Sequence, residues 1–339
     1  MRFSVRFNND VPVKDYPVLA RAAEAAGFDQ FWVSDDLFLR GVWPILSACA
    51  IATERIALGT CIVNPYTMHP AEIAMQAAAL DELSGGRLLL GIGAGAGDFL
   101  TWVGINQARP LTRTAETLAV LRSLLAGDRG AIKGRELRGW TDEAYMRFPT
   151  RPIPLYLGAT GTRMLRLIGR AADGGLPLLF PPEHYATAMD YIRAGAAEAG
   201  RDITDIDVAA CIWVSVADDH EVAADALREK IAYYGHALSD VILDNLGLSR
   251  ADFEPIARAV QVERDIRRAK ALVTDQMLRI GVVGDGRELI VRLERLIAQG
   301  ARHLSFGPPL GPDRLAALEV IGREVIPFFR PEADPMKHP

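Results

Sequence analysis

The chain has 339 residues, of which 50% are hydrophobic and 24% charged, and its formal net charge is −5. This composition is typical of a globular protein. The acidic balance, without a block of lysine and arginine, argues against a nucleic-acid or anionic-membrane surface. Since the sequence has no run of eighteen apolar residues and its start leads directly into a strand pattern, we expect neither a membrane span nor a signal peptide. Three widely spaced cysteines do not make a disulfide framework, so a cytoplasmic protein is predicted.

Short apolar runs alternate with amphipathic stretches along the whole chain. The apolar runs predict strands at Arg2–Phe7, Phe28–Ser34, Ile56–Thr60, Arg87–Ile92, Ile153–Leu157, Gly175–Leu179, Ile206–Val216 and His303–Phe306. Helical periodicity predicts helices at Val13–Ala26, Trp43–Thr53, Pro70–Leu83, Thr112–Ala126, from Thr162 onward, His184–Ala199, Gly286–Ala298 and Pro312–Ile326. Strict alternation favours parallel strands with right-handed crossovers. Eight such units predict an α/β fold, a (β/α)₈ TIM barrel over residues 1–330, with a doubly wound open sheet as the alternative.

Two segments interrupt this alternation. Residues 127–151 are rich in Gly and Arg and predict an irregular insertion before strand five. Residues 218–277 have a helical pattern and lie between strands seven and eight. Because this helical insertion leaves the carboxyl end of strand seven, we expect it to cover the barrel mouth, where active sites of this fold lie. The tail, residues 331–339, is predicted to be flexible.

Small residues follow strands four and five. After strand five, Gly158, Ala159, Thr160, Gly161 and Thr162 open a helix, whose free N–H groups and dipole predict an anion site; a tight turn with Thr160 or Thr162 as N-cap is the alternative. After strand four, the run GIGAGAG lacks the third glycine of a dinucleotide fingerprint at the required spacing. We therefore interpret Gly93 and its neighbours as a loop that lets backbone approach a ligand closely.

Charged residues stand at the ends of strands one and two. Asp35 and Asp36 end strand two, where one could bond a cofactor ring or handle a proton, or both could be solvated caps. Arg6 lies on the opposite face of strand one from Phe3, Val5 and Phe7. If those three pack on helices, Arg6 points into the mouth and could bind an anionic group; an interior ion pair with Asp35 is the alternative.

Other catalytic groups are few. The six histidines show no metal-ligand spacing, so we predict no metal site. Nothing marks a partner base for Cys61, which favours a small buried thiol over a nucleophile. A protein with so few catalytic side chains fits redox chemistry by a bound cofactor, because the cofactor then carries the reaction.

A family resemblance rests on several long motifs. These are LGTCIVNPYTMHPAEIAMQAAALDELSGGRLLLGIGAG (58–95), AEAAGFDQFWVSDD (23–36), PIPLYLGATGTRML (152–165), TDIDVAAC (204–211) and GARHLSFGPPLGPD (300–313). Together they resemble the luciferase-like flavin superfamily, and within it the branch that depends on coenzyme F420 and is typified by methylenetetrahydromethanopterin reductase. The resemblance spans nearly the full chain and implies a TIM barrel.

The resemblance also implies a cofactor site. F420-dependent members carry a non-prolyl cis peptide after strand three, here Cys61–Ile62, which implies that Cys61, Ile62, Val63 and Asn64 form a shelf behind the deazaflavin ring. It places Asp35 beside the ring and residues 158–162 around the cofactor phosphate. Two departures concern the substrate: Asp36 stands where the family has histidine, and Arg6 stands where the methanogen reductases have glutamate. The pterin is therefore not the expected substrate, and an anionic or carbonyl substrate held by Arg6 is.

Three hypotheses follow. The first is an F420-dependent oxidoreductase that transfers a hydride between deazaflavin C5 and a small organic substrate. The second is an FMN-dependent luciferase-like monooxygenase that uses oxygen and needs a reductase partner. The third is a catalytically silent flavin-binding barrel. The superfamily resemblance suggests a homodimer or homotetramer.

Overall fold

The computed structural model describes residues 1–129, 134–178 and 181–330. Its strands are β1 (Arg2–Phe7), β2 (Gln30–Val33), β3 (Ala57–Thr60), β4 (Leu88–Ile92), β5 (Leu155–Ala159), β6 (Gly174–Pro177), β7 (Asp207–Val208), β8 (Ala210–Val216), β9 (Val282–Gly284) and β10 (His303–Leu310). Its helices are α1 (Tyr16–Ala25), α2 (Val42–Ala52), α3 (Pro70–Leu83), α4 (Gly97–Trp102), α5 (Pro110–Leu125), α6 (Thr162–Ala171), α7 (Pro182–Glu198), α8 (His220–Tyr234), α9 (Asp240–Leu246), α10 (Arg250–Gln261), α11 (Ile266–Ala271), α12 (Asp275–Leu278), α13 (Gly286–Ala298), α14 (Arg314–Val320) and α15 (Ile326–Phe329).

The strands form one parallel sheet in the order β7-β6-β5-β4-β3-β2-β1-β10-β8-β9. β7 and β8 are two parts of one extended stretch that is interrupted at Ala209. β7 pairs with β6, whereas β8 pairs with β10. Because β7 leads directly into β8, this stretch joins β6 to β10, and the sheet closes into an eight-stranded barrel. The predicted TIM barrel is confirmed, and the open-sheet alternative is wrong.

The short strand β9 was not predicted. It pairs with the last residues of β8 and lies outside the closed ring. Three residues are too few to show a strand period, so the sequence pattern gave no signal for it.

Side-chain alternation in the strands builds two apolar layers. Phe3, Val5 and Phe7 of β1 point outward into the large core between the barrel and its helices, which is the condition under which Arg6 was expected to point inward. A smaller cluster inside the barrel contains Trp32, Tyr156, Leu176, Ala209 and Cys211. The barrel interior is thus packed, as expected of this fold, and a ligand site has to lie at its mouth.

The helices α8 to α12 occupy residues 220–278 and have an apolar core of their own. That core includes Trp213 of β8, so it adjoins the carboxyl end of the barrel. Ser215 fixes the first of these helices, because its Oγ donates to the carbonyl oxygen of Ala223 at 2.6 Å. In the segment before β5, residues 134–150 form neither helix nor strand. The domain boundaries stay predictions.

Several predicted boundaries differ from the structure. Thr112 lies inside α5, which starts at Pro110 with Arg109 as its N-cap. Proline has a fixed φ that suits the first helical position, so the helix begins earlier than the N-cap prediction placed it. The helix α4, directly after the GIGAGAG run, was not predicted. Leu179, assigned to strand six, and the tail 331–339 lie outside the described residues.

None of the helices described above combines the length and apolar character that a bilayer span requires.

Candidate active site at the barrel mouth

The chain makes an abrupt bend where it leaves β3. The peptide bond between Cys61 and Ile62 is cis, as the family resemblance implied. After the bend the chain pairs with the end of β4: the Val63 N–H donates to the Gly91 carbonyl at 3.0 Å, and the Gly93 N–H donates to the Val63 carbonyl at 3.1 Å. The apolar stretch is therefore an extension of the barrel wall rather than a surface turn.

Ile62 lies at the centre of this bend and is mostly buried. Its side chain lies against two glycines on the next strands. A Cβ on Gly158 would lie 2.9 Å from Ile62 Cγ2, and a Cβ on Gly93 would lie 3.1 Å from Cγ1. The first contact is closer than real Cβ atoms come and the second is tighter than most of them, so the two glycines leave the space that the isoleucine needs. The three residues form an apolar surface at the mouth, which we call the Ile62 ridge.

The neighbours of Ile62 play different parts. Val63 is fully buried in the layer between barrel and helices, so its side chain does not reach the mouth. Asn64 is also buried, and its Oδ1 accepts the backbone N–H groups of Tyr66 (3.1 Å) and Thr67 (3.0 Å). Asn64 thus holds the loop in shape. Of the four residues predicted to form the shelf, Cys61 and Ile62 are therefore the two whose side chains a ligand could touch.

The turn after β5 places an open helix end beside the ridge. Gly158 and Ala159 end β5, Gly161 is the N-cap of α6, and Thr160 and Gly161 are exposed. No side chain of the described residues caps this helix, so the alternative that Thr160 or Thr162 is the N-cap is wrong. Its first N–H groups and the positive end of its dipole are thereby available to an anion.

Arg6 points into the barrel, as predicted, and its side chain is almost completely buried. Its Nε donates to Ser305 Oγ at 3.1 Å, and its Nη2 donates to the Ile212 carbonyl at 2.9 Å. These bonds use Nε and Nη2, and the guanidinium also lies against the Cys61 thiol at the ridge. Within the described parts of the chain Arg6 forms no ion pair with Asp35, so that alternative is wrong.

The two carboxylates after β2 have different surroundings. Asp35 Oδ1 accepts the Val42 N–H of α2 at 3.2 Å. Burial raises the pKa of Asp35, and the charge of Asp36 adds to that shift. Asp36 Oδ2 accepts the Ser34 hydroxyl at 3.2 Å. Burial also raises the pKa of Asp36, while the positive charge of Lys230 opposes the rise. Asp36 therefore belongs to the charged groups of the mouth, together with Lys230. Asp35 instead contacts the first N–H group of α2.

Lys230 is a mouth residue that the sequence analysis missed. It lies on α8 with its Nζ 3.9 Å from the centre of the Tyr234 ring and 5.5 Å from that of Trp213. Burial lowers its pKa to about 8, against the opposing effect of Asp36 and Asp10. A signal existed: Lys230 is one of only five lysines in the chain, and it lies on the apolar side of its helix, three residues after buried Leu227.

Cys61 lies close to Arg6 and Cys211. Burial raises the pKa of the Cys61 thiol to about 12, and the charge of Arg6 lowers it only in part. The thiol is therefore protonated at neutral pH, which does not suit a nucleophile. Within residues 1–129, 134–178 and 181–330, no three His, Cys, Asp or Glu side chains come together in a way that could hold a metal ion.

The mouth thus combines an apolar ridge, an open helix end, and charged side chains of both signs. Such a site can bind a flat ring on the ridge and a phosphate at the helix, while the charged groups face a second molecule. Among the residues that the structure describes, it offers no nucleophile with a partner base, so chemistry there depends on what the ring supplies.

Known proteins resemble the chain over most of its length. The sequence profile of the luciferase-like monooxygenase family matches residues 2–303. A 5,10-methylenetetrahydromethanopterin reductase of Methanolobus tindarius is 33% identical over 96% of this chain and 100% of its own length. An F420-dependent glucose-6-phosphate dehydrogenase of Beutenbergia cavernae is 31% identical over 93% of this chain and 92% of its own.

Among solved structures, the coenzyme F420-dependent tetrahydromethanopterin reductase of Methanopyrus kandleri superposes with a TM-score of 0.90. The two sequences are 30% identical, and the alignment covers 97% of this chain and 99% of the other. The profile match and this superposition both extend over the barrel strands and the residues of the mouth. The chain therefore belongs to the luciferase-like monooxygenase family and is an oxidoreductase.

Proposed function

We propose that the protein is a coenzyme F420-dependent oxidoreductase that transfers a hydride between C5 of the deazaflavin and a small organic substrate. The observation that carries this proposal is the Ile62 ridge, which is presented at the mouth by Gly93 and Gly158 beside an open helix end. The relatives named above that depend on F420 support the choice of cofactor.

The residues present fit the proposed cofactor. Ile62 has no bulky neighbour on β4 or β5 at the points of contact, so its exposed side can lie against a flat ring. Within the described parts of the chain the N-terminus of α6 has no side-chain cap, and its N–H groups fit a phosphate. Asp35 uses Oδ1 for the Val42 N–H, so Oδ2 is the atom that would bond the edge of the ring. When bound, the deazaflavin supplies or accepts the hydride at C5.

The charged groups of the mouth would hold the substrate. Arg6 is fixed by its bonds to Ser305 and Ile212, so it would orient an anionic or carbonyl group without first being ordered. Lys230, beside Asp36 and under the aromatic rings of Trp213 and Tyr234, adds a second positive charge. The methanogen reductases act on a pterin. The arginine at position 6 instead favours a smaller substrate with a carboxylate, phosphate or carbonyl oxygen.

The test is a fluorescence titration of the apo-protein with F420 and, separately, with FMN. We expect micromolar or tighter binding of F420 and much weaker binding of FMN. Tight FMN binding without F420 binding would refute the proposal in favour of the monooxygenase hypothesis, and a search for the reductase partner would follow.

An activity assay distinguishes the proposed oxidoreductase from the third hypothesis, a catalytically silent barrel. Reduced F420 is mixed with the protein and a panel of small keto acids, aldehydes and ketones, and its oxidation is followed by absorbance. Oxidation that depends on one of these compounds supports the proposal, whereas binding without turnover of any hydride acceptor supports the silent barrel.

A further inference from the structure

A line of buried polar side chains runs through the barrel interior and ends at Arg6. Asp207 Oδ1 lies 3.1 Å from His303 Nδ1, and His303 Nε2 lies 2.7 Å from Ser4 Oγ. The hydroxyls of Ser4 and Ser305 are 2.8 Å apart, and Arg6 Nε donates to Ser305 Oγ at 3.1 Å. We call these five residues the interior column.

Strand register explains why these residues meet. Arg2 of β1 is paired with His303 of β10, and Ser4 is paired with Ser305. Alternate residues of both strands point inward, so each pair contributes a step of the column. At the next step Gly307 makes room for the guanidinium, because a Cβ there would lie 2.3 Å from Arg6 Nη2.

The foot of the column is a charged carboxylate. Burial disfavours the charged form of Asp207, but hydrogen bonds from His303 and Tyr156 hold its pKa well below the usual range. The Tyr156 hydroxyl donates a hydrogen bond to Asp207 Oδ2 at 2.6 Å, and Arg2 forms an ion pair with the same carboxylate at 2.5 Å. The foot is therefore an acceptor with fixed charge, at the opposite end from the mouth.

The top of the column is an obligatory donor, because a guanidinium has N–H groups and no acceptor. Between these ends the two serine hydroxyls can each turn. With a neutral His303, the protons run from Arg6 through both serines to Nε2. With a protonated His303, Ser4 donates to Ser305 instead. In both arrangements Ser305 Oγ accepts from Arg6, so the guanidinium is held either way.

We propose that Ser305, Ser4 and His303 are positioning residues that fix the guanidinium of Arg6 for an anionic or carbonyl substrate. This inference rests on the substrate role of Arg6 in the proposed function. An arginine side chain that is free in solution loses much rotamer entropy on binding, and one that is already anchored loses less. The anchor uses Nε and Nη2, so binding does not have to break it.

The experiment follows the Nε–H signal of Arg6 by NMR in protein labelled with ¹⁵N-arginine, assigned through its absence in Arg6→Lys. Acetate, the smallest stable carboxylate probe, is titrated in. In the wild type we expect a slowly exchanging signal that shifts with acetate. In Ser305→Ala we expect exchange to rise about tenfold or more, because the N–H loses its protecting acceptor. The acetate Kd should rise about fivefold, as for one lost hydrogen bond.

Two further variants separate positioning from general structure. Ser84→Ala is the matched control: Ser84 is a buried serine at the C-cap of α3 that donates to the Asp81 carbonyl at 3.1 Å and lies outside the column. It should leave the Arg6 signal and the acetate Kd unchanged. Ser305→Cys fills nearly the same space as serine but replaces the hydroxyl with a poor hydrogen-bond acceptor. It should therefore raise the exchange rate of the Arg6 N–H and the acetate Kd as Ser305→Ala does, and it gives the same test if the alanine variant folds poorly.

The outcomes are distinct. An Arg6 signal that shifts with acetate equally in wild type, Ser305→Ala and Ser305→Cys would overturn the positioning role. A wild-type signal that exchanges slowly but ignores acetate would overturn the substrate role of Arg6 and, with it, this inference. F420 affinity should stay unchanged in the serine variants, since the ridge lies on other strands, and its loss would also contradict the assignment.

Discussion

Replacing Ile62 with alanine tests the ridge directly. The change removes three carbon atoms, which are worth about 0.8 kcal/mol each when fully buried. Ile62 is already mostly buried without a ligand, so at most about a third of that surface is left for a ring to cover, or about 0.8 kcal/mol. We therefore expect the Kd for F420 to rise up to about fourfold. The assay is the fluorescence titration with F420, run beside thermal unfolding.

Val63→Ala is the comparison. Val63 is fully buried in the outer core, so its truncation should cost about 2–3 kcal/mol of folding free energy through lost burial and a cavity. Its side chain does not reach the mouth, so the Kd of the folded protein should change little. An unchanged Kd in Ile62→Ala, or a larger rise in Val63→Ala, would refute the ridge as the seat of the ring.

Three further predictions concern ionisable groups. Burial lowers the pKa of Lys230 to about 8, below its ordinary value near 10.5, so the folded state is penalised while the lysine is charged; Lys230→Met should raise the Tm most below pH 8, and its advantage should shrink between pH 8 and pH 10.5. An equal Tm gain at pH 7 and pH 10 would contradict this. The pKa of Asp207 is held below its usual range, so its charge stabilises the fold above about pH 4 and the benefit is lost as pH falls; Asp207→Asn should lower the Tm at pH 7, with a difference that shrinks in acid. A constant difference down to pH 3 would count against it. Burial raises the pKa of Cys61 and of Cys49 to about 12, so thiol titration with iodoacetamide at pH 8 should be slow in native protein and fast after denaturation. Rapid labelling of Cys61 in the native state would show that its thiol is activated.

Much of the barrel could be predicted from sequence because alternation of strand and helix is a long-range pattern. A period of two put Arg6 on the opposite face of β1 from Phe3, Val5 and Phe7, and this was confirmed: the three pack in the outer core and Arg6 points into the barrel. Termini were less certain: Thr112 has the chemistry of an N-cap, but the fixed φ of Pro110 starts the helix earlier. The cis bond at Cys61–Ile62 was implied by the family resemblance, since no local pattern encodes it.

The site was predicted in part for the same reason. Residues at strand ends converge by topology, which placed Arg6, Asp35, Ile62 and the turn after β5 at one end of the barrel. Lys230 comes from a helix distant in sequence, and its position depends on how the core around Trp213 packs. The contact between Arg6 and Ser305 could not be predicted either. It depends on the register between β1 and β10, which the residue types do not determine.

The barrel is closed by the short pairing between β6 and β7, and this pairing is a candidate for local unfolding. Asp207 belongs to the short strand β7, whose two residues pair with Gly174 and Gly175 of β6, so the ring of strands is closed there by few hydrogen bonds and by glycines that offer no side chain to pack. If this pairing opens, β3, β4 and β5 keep their mutual pairing and with it the Ile62 ridge. The foot of the column, however, moves away from Tyr156. A brief excursion of this kind would leave both the Ile62 ridge and the anchor of Arg6 intact, because Arg6 keeps its bonds to Ser305 and Ile212 on the paired strands β10 and β8. What such an opening would expose is the buried charge of Asp207 at the foot of the column, so the mouth would stay ready for both molecules while the base of the barrel opens.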